Sequence, residues 1–420
     1  MSRDGKGAQG SAAAGAAPGT PPSGKPIPRG SVSAGAASGG ASPEAPVPGG
    51  ASLEGAAPGS AVFENAAPGR ATGGRPFHGD RHARVRSASA ARTRAVFLGA
   101  FLVFAIAFLF ALCAGHVWSS PAEALRSIFG EGREKANLIY LWRLPRAVTA
   151  AAVGALLGLS GAVFQGIFRN PLAEPWLVGS SGGAAVGATL ALLLPWPVSQ
   201  EIVLPSLSFA GALGAAFLVL ALARLSGSLD TATLLLAGIA VSAILTALRS
   251  FLMMTLSSDN LSLQVVMSWL MGSIQAPDGT RMTVFLCLSA LVFALSLLMA
   301  RPLDLLGLGE SMAAAWGLNV RRAVVLGLIL GSAAAALAVS AGGMVAFVGL
   351  AAPHVGRFLV GTRHRRLIPF SALAGAVLVT AADALARSLL PPGEIPLGLL
   401  TALAGGPFFL VLLAGRNRAT

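Results

Sequence analysis

Apolar residues gather into ten runs along this chain, at 95–115, 147–168, 176–194, 202–223, 232–256, 282–300, 323–341, 343–361, 367–390 and 396–414. Each is mostly apolar and approaches the ~20 residues an α-helix needs to cross a bilayer core. Backbone polar groups find no water at that depth, so such a run is stable as a helix that bonds them internally. The pattern predicts an all-α, polytopic membrane protein with about ten transmembrane helices over residues 94–420. An even number of crossings puts both termini on one side. Cytoplasmic loops collect Lys and Arg. Arg169, Arg224, Arg301, Arg321, Arg322, Arg363, Arg365, Arg366, Arg416 and Arg418 all fall on the side shared by the termini. The expectation is therefore a multi-pass protein of the cytoplasmic (inner) membrane with both termini cytoplasmic. Loops 195–201 and 391–395, on the other side, carry no Lys or Arg, whereas segment 116–146 is a basic exception.

Composition agrees with this class. The chain is 54% hydrophobic and only 11% charged, against roughly 25% charged residues in soluble domains. Its net charge of +13 follows the loop bias and gives no reason to expect nucleic acid. Cys113 and Cys287 both lie in apolar runs, where they read as small core residues. Neither a disulfide framework nor a metal site is expected, and no cofactor is.

Residues 1–93 differ. They are rich in Ala, Gly, Pro and Ser with few large apolar residues, so they cannot bury enough surface to offset chain entropy. A disordered cytoplasmic tail is expected. No apolar core of a signal peptide lies near Met1. Arg81, Arg84, Arg86, Arg92 and Arg94 precede the first run and suit anionic lipid headgroups.

Small residues recur within several runs. Gly154 and Gly158, followed by Gly161, and then Gly179, Gly183 and Gly187 predict faces where helices approach closely. Gly405, Gly406 and Pro407 interrupt the last run and predict a bent or broken helix, because Pro removes a backbone donor.

Four stretches carry more specific information. They are RLPRAVTAAAVGALLGLSGAVFQGIFRNPLAEPWLVGSSGGAAVG at 143–187, LLLAGIAVSAIL at 234–245 with SWLMGS at 268–273, RPLDLLGLGESMAAAWGLNV at 301–320, and the stretch 349–409 that begins GLAAPHVGRFLVGTRHRR. In this order and spacing they resemble the FecCD-type permeases of ABC importers, the family that carries ferric siderophores, haem and vitamin B12. The resemblance covers about residues 95–415. It implies a permease subunit, two copies side by side, a separate ATP-binding subunit under each, and an extracytoplasmic substrate-binding protein. It implies a ferric siderophore or related iron complex as cargo, with haem or cobalamin as alternatives. A separate ATPase is also required by the chain itself, which has no GxxxxGK[ST] loop. An ion-coupled secondary transporter is a distant alternative. It needs intramembrane carboxylates, and Asp383 alone was expected well inside a run, with Arg387 four residues on.

The resemblance also assigns roles. The amphipathic loop 301–320 holds the coupling helices, with Leu308, Gly309, Glu310, Ala314 and Gly317 as ATPase contacts. Arg143, Arg146 and Arg387 correspond to positions that dock the binding protein, a task suited to the planar, permanently charged guanidinium. Arg249 is a departure: a charge deep in an apolar run marks a pathway or a pair. It is expected to face the translocation cavity and favour an anionic substrate. The pathway is expected to include Gly179, Gly406 and Pro407 as well. Gln165, Arg169, Asn170 and Pro171 are expected to end the second helix, and His354 to be structural.

Overall fold

The computed structural model describes residues 79–115, 117–128, 139–257, 260–275, 277–391 and 393–416, with side chains from Ala91 to Leu410 apart from residues 177, 260 and 261. Among the described residues the structure is helical, with no strand. The helices are α1 (Gly79–Cys113), α2 (Pro121–Ile128), α3 (Leu144–Ile167), α4 (Ser180–Leu193), α5 (Gln200–Leu225), α6 (Thr231–Leu256), α7 (Asn260–Leu270), α8 (Gly279–Leu298), α9 (Ala300–Leu306), α10 (Glu310–Ala315), α11 (Val320–Gly342), α12 (Val348–Val360), α13 (His364–Ala386) and α14 (Leu397–Arg416). A π-helical turn (Ile139–Arg143) leads into α3, and a 3-10 turn (Pro175–Val178) leads into α4.

All ten predicted runs are found as helices. Seven reach span length with spanning composition: α1 from Ala91, α3 with its π-helical turn, α5, α6, α8, α11 and α13. The runs 176–194 and 343–361 are corrected. Their helices, α4 and α12, have 14 and 13 residues, about 20 Å each at 1.5 Å per residue. The difference is made up by non-helical backbone. Residues 343–347 connect α11 to α12 without helix. Just beyond them Gly349 packs directly against Gly161 of α3. Such backbone persists at membrane depth only where protein surrounds it, and the N–H of Phe347 is taken by the Glu174 carboxylate at 2.9 Å. Most of the tail expected over 1–93, residues 1–78, lies outside the described residues. Helix α1 begins at Gly79, where Ala and Arg, both good helix formers, replace Gly and Pro.

The core centres on α3, which is held by α13, α11 and α12. Glycines set its contacts. A Cβ added at Gly154, Gly158 or Gly161 would sit 2.1, 2.0 and 1.7 Å from the carbonyl oxygens of Gly375, Ser371 and Gly349. The backbones therefore meet directly, as the small-residue spacing predicts. Gly183 and Gly187 do the same for α4 against α5. Most of α3 is buried, whereas only 17% of the apolar window of α6 and 11% of that of α8 is covered.

Candidate functional site

Helices α9 and α10 form a knob at one end of the bundle. Leu303 and Leu306 of α9 and Ala313 of α10 are buried and anchor it. The carbonyls of Ala313 and Ala314 accept N–H bonds from Leu318 and Gly317. This is the Schellman pattern, in which a left-handed glycine closes a helix; Gly317 has φ +80°, and it ends the helix as the sequence predicts. Asp304 ties the knob to α13, accepting the His364 N–H at 2.9 Å and lying 2.7 Å from its Nδ1. Burial works to raise the Asp304 pKa, but the hydrogen bonds from His364 and the nearby charges of His364 and Arg363 outweigh it and hold the carboxyl below its ordinary value. Glu310 pairs with Arg169, from the turn after α3, at 2.8 Å.

The outward side of the knob carries the five residues singled out in the sequence. Leu308, Glu310, Ala314 and Gly317 are exposed, and Gly309 is half-buried with φ +103°. Met312 and Trp316 complete the surface, half or more exposed. Sequence reasoning did not name these two as contacts. The signal was available: two large apolar side chains four residues apart share a helix face.

The opposite end, called here the far face, holds the three arginines. Arg143 donates to the carbonyls of Leu112, Cys113 and Val117 and to Ser119 Oγ. Arg387 donates to the carbonyls of Ala111 and Ala114 at 3.0 and 3.3 Å. Both are buried. They close the end of α1, whose last carbonyls have no helical partner, so their guanidinium groups do not face outward as docking contacts would. The expectation for Arg143 and Arg387 is corrected on that point. Arg146 is partly exposed, yet it too is engaged, with Asp383 at 3.0 Å and Glu394 at 2.8 Å. Asp383 also pairs with Arg387 at 3.1 Å, so two arginines flank one buried carboxylate. The intrahelical pair expected from the i,i+4 spacing is present; the second partner from α3 was not legible in the sequence.

Helix α6 packs on α4, α5 and the 3-10 turn. Its other face presents Leu236, Ile239, Ile244, Phe251 and Met254, each at least 60% exposed. Arg249 lies one turn after Leu245, which touches Gly182 of α4, so it stands at the edge of the packed face and not on the open one. It is half-buried, and its Nε has no hydrogen-bond partner among the described residues. Gly179 joins the 3-10 turn to α4 with φ +78°, and an added Cβ would lie 3.2 Å from Val241 of α6.

Around Gly406 and Pro407 the expected break is not found. Helix α14 runs continuously from Leu397 to Arg416 with Pro407 inside it. Pro407 lacks one backbone donor, yet the helix is not broken there and continues through it. Gly406 borders open space, and its neighbour Gly405 is the packed residue, against the Phe347 ring. His354 makes an edge contact with Phe408, and Gln165 donates to the Gly349 carbonyl. Among the described residues no cluster of His, Cys, Asp and Glu suits a metal ion.

The comparisons with known proteins agree with this architecture. The cobalamin import system permease protein BtuC of Halobacterium salinarum is 45% identical over 66% of this chain and 73% of its own length. The Fe(3+) dicitrate transport system permease protein FecD of Escherichia coli K12 is 39% identical over 70% of this chain and 90% of its own. The hemin transport system permease protein HmuU of Yersinia pestis is 41% identical over 65% and 83%. A solved structure described as a metal-chelate type ABC transporter in an inward-facing conformation superposes with a TM-score of 0.66 at 32% identity, over 77% of this chain and 99% of that one. Residues 103–415 match the model of the FecCD transport family, and the chain belongs to that family.

Proposed function

We propose that this chain is the membrane-spanning subunit of an ABC importer that carries a ferric siderophore or a related iron complex, driven by a separate ATPase. The observation that carries the coupling role is the knob: two short helices, anchored by Leu303, Leu306 and Ala313, that present Leu308, Met312 and Trp316 to solvent. Large exposed apolar side chains on a rigid base suit insertion into a partner's cleft. In this reading Leu308, Gly309, Glu310, Ala314 and Gly317 meet the ATPase on the cytoplasmic side, and both termini and the Ala/Gly/Pro/Ser-rich tail lie on that side too. The open face of α6 receives a second copy of the chain, the pathway runs between the copies past Gly179, Arg249, Gly406 and Pro407, and membrane lipid covers the remainder. The binding protein docks on the far face. There Arg146 and Glu394 are the reachable charges, with Arg143 and Arg387 holding the surface in shape.

Cobalamin, ferric dicitrate and hemin, named for the relatives, are all metal complexes. An anionic iron complex is favoured by Arg249, a cation with an unpartnered Nε at the edge of the α6 face. Cobalamin import is the second reading, supported by the 45% identity to the Halobacterium protein.

The test is uptake of radiolabelled ferric siderophore, haem and cobalamin in cells with and without the gene. Loss of iron-complex uptake alone supports the leading reading, and Arg249→Gln should then lower it. Loss of cobalamin uptake alone replaces the cargo. Trp316→Asp should leave the chain folded while abolishing uptake and co-purification of an ATP-binding subunit. Unchanged co-purification would overturn the role given to the knob.

A further inference from the structure

A crevice of about 790 Å³ opens at the far face between the N-terminal ends of α3, α5 and α8 and the last turn of α11. Its size falls within the range of small-molecule sites. The floor is apolar, built by Phe209, Phe285, Leu288 and Leu337. Phe209 and Leu288 each lie nine residues along their helices, which places them about 13 Å below the helix ends. That is close to half of a ~30 Å hydrocarbon core, so the crevice has the depth of one leaflet. Its wall α8 is almost uncovered, and Trp142 stands at the mouth with 69% of its surface exposed. Exposed Trp side chains mark headgroup level in membrane proteins. No residue of α6 or α14 lines the crevice, so it is separate from the open α6 face and from the proposed pathway.

The rim carries three charges. Arg281 Nη2 bonds Asp278 at 2.8 Å and also bonds Glu201. Both carboxylates are more than half exposed. Two carboxylates against one guanidinium leave an excess of one negative charge, which disfavours an anionic headgroup. An ammonium group suits it. Arg281 holds both carboxylates through one nitrogen, and a guanidinium has five N–H donors, so donors on its other nitrogens remain for a phosphate.

We propose that this crevice binds an ethanolamine phospholipid of the leaflet on the far face. One acyl chain lies along Phe209, Phe285 and Leu288, the ammonium meets Glu201 and Asp278, and the phosphate meets Arg281. The site does not depend on the cargo assigned above.

Native mass spectrometry of the full chain, purified in detergent and incubated with 1-palmitoyl-2-oleoyl phosphatidylethanolamine or the matching phosphatidylglycerol, tests this directly. The expected result is retention of the ethanolamine lipid by about tenfold in apparent affinity, equivalent to about 1.4 kcal/mol. Glu201→Lys, at an exposed first-turn position, turns the rim's excess charge positive and should reverse the preference. Ala341→Trp fills the crevice and should reduce both lipids; Ser206→Phe is a second block on a different helix should the first variant fail to fold. Equal retention of the two lipids, retention of neither, or an unchanged preference in Glu201→Lys overturns the proposal.

Discussion

Asp383 and Glu310 make ion pairs of similar length, at opposite ends of the bundle. Asp383 has 1% of its side chain exposed and lies between Arg146 and Arg387. Glu310 and Arg169 leave 52% and 38% of theirs in solvent. A buried charge that loses its partner is costly, whereas an exposed pair contributes little because water and salt compete for it. The far-face arginines are therefore structural: they close α1 and bind α3 to α13. The knob is lightly tied, and its surface remains available. The same residue types serve cohesion at one end and stay open to solvent at the other, and burial decides which.

The contrast can be broken by substitution. Asp383→Ala leaves the buried Arg387 without a counter-charge and Arg146 with Glu394 alone, and should destabilise the protein by about 3–5 kcal/mol, read as a lowered unfolding temperature in detergent. A loss below about 1 kcal/mol would mean water already screens the network. Next, Arg387→Met keeps the Asp383–Arg146 pair but removes the donors to Ala111 and Ala114. The expected cost is about 1–3 kcal/mol, with faster amide exchange at the end of α1 and none added at the knob.

Acid should act at the knob more than at the far face. The Asp304 carboxyl is held below its ordinary pKa, so its contribution is complete above the unfolded carboxylate value and is lost as pH falls through the lower folded value. Amide exchange over residues 300–315 should rise in that acidic window before the far-face helices loosen. If α3 and α13 loosen first, the assignment of the weaker tie to the knob is wrong. The smallest effect belongs to Glu310→Gln, which should change stability by no more than about 1 kcal/mol, a difference that should shrink further with added salt.

Much of this was written in the sequence, for identifiable reasons. Continuous apolar runs have no other stable form at membrane depth, so all ten appear as helices. The amphipathic loop 301–320 and the family resemblance located the knob, and the four-residue glycine spacing located the touching faces. Other features were hidden. Residues 343–347, GMVAF, are as apolar as the helices around them, and hydropathy does not separate helix from extended backbone in so short a run. Charge in a loop reports a side of the membrane but not depth, so Arg143 and Arg387 read as surface groups although the ends of α1 enclose them. Pro407 read as a bend or break because it lacks a backbone donor, yet α14 continues through it. Arg281 drew no notice because its partners are 80 and 3 residues away.

The glycine contacts of α3 have a mechanical consequence. Where backbone touches backbone at Gly154, Gly158 and Gly161, no side chain stands between the helices to change rotamer and absorb a displacement. Helices α3, α12 and α13 must then travel together, as one lever. Any stroke delivered at the knob, through Asp304 and His364, would reach the far face undamped, and the compliance that transport requires must reside in the sparsely covered helices around this lever.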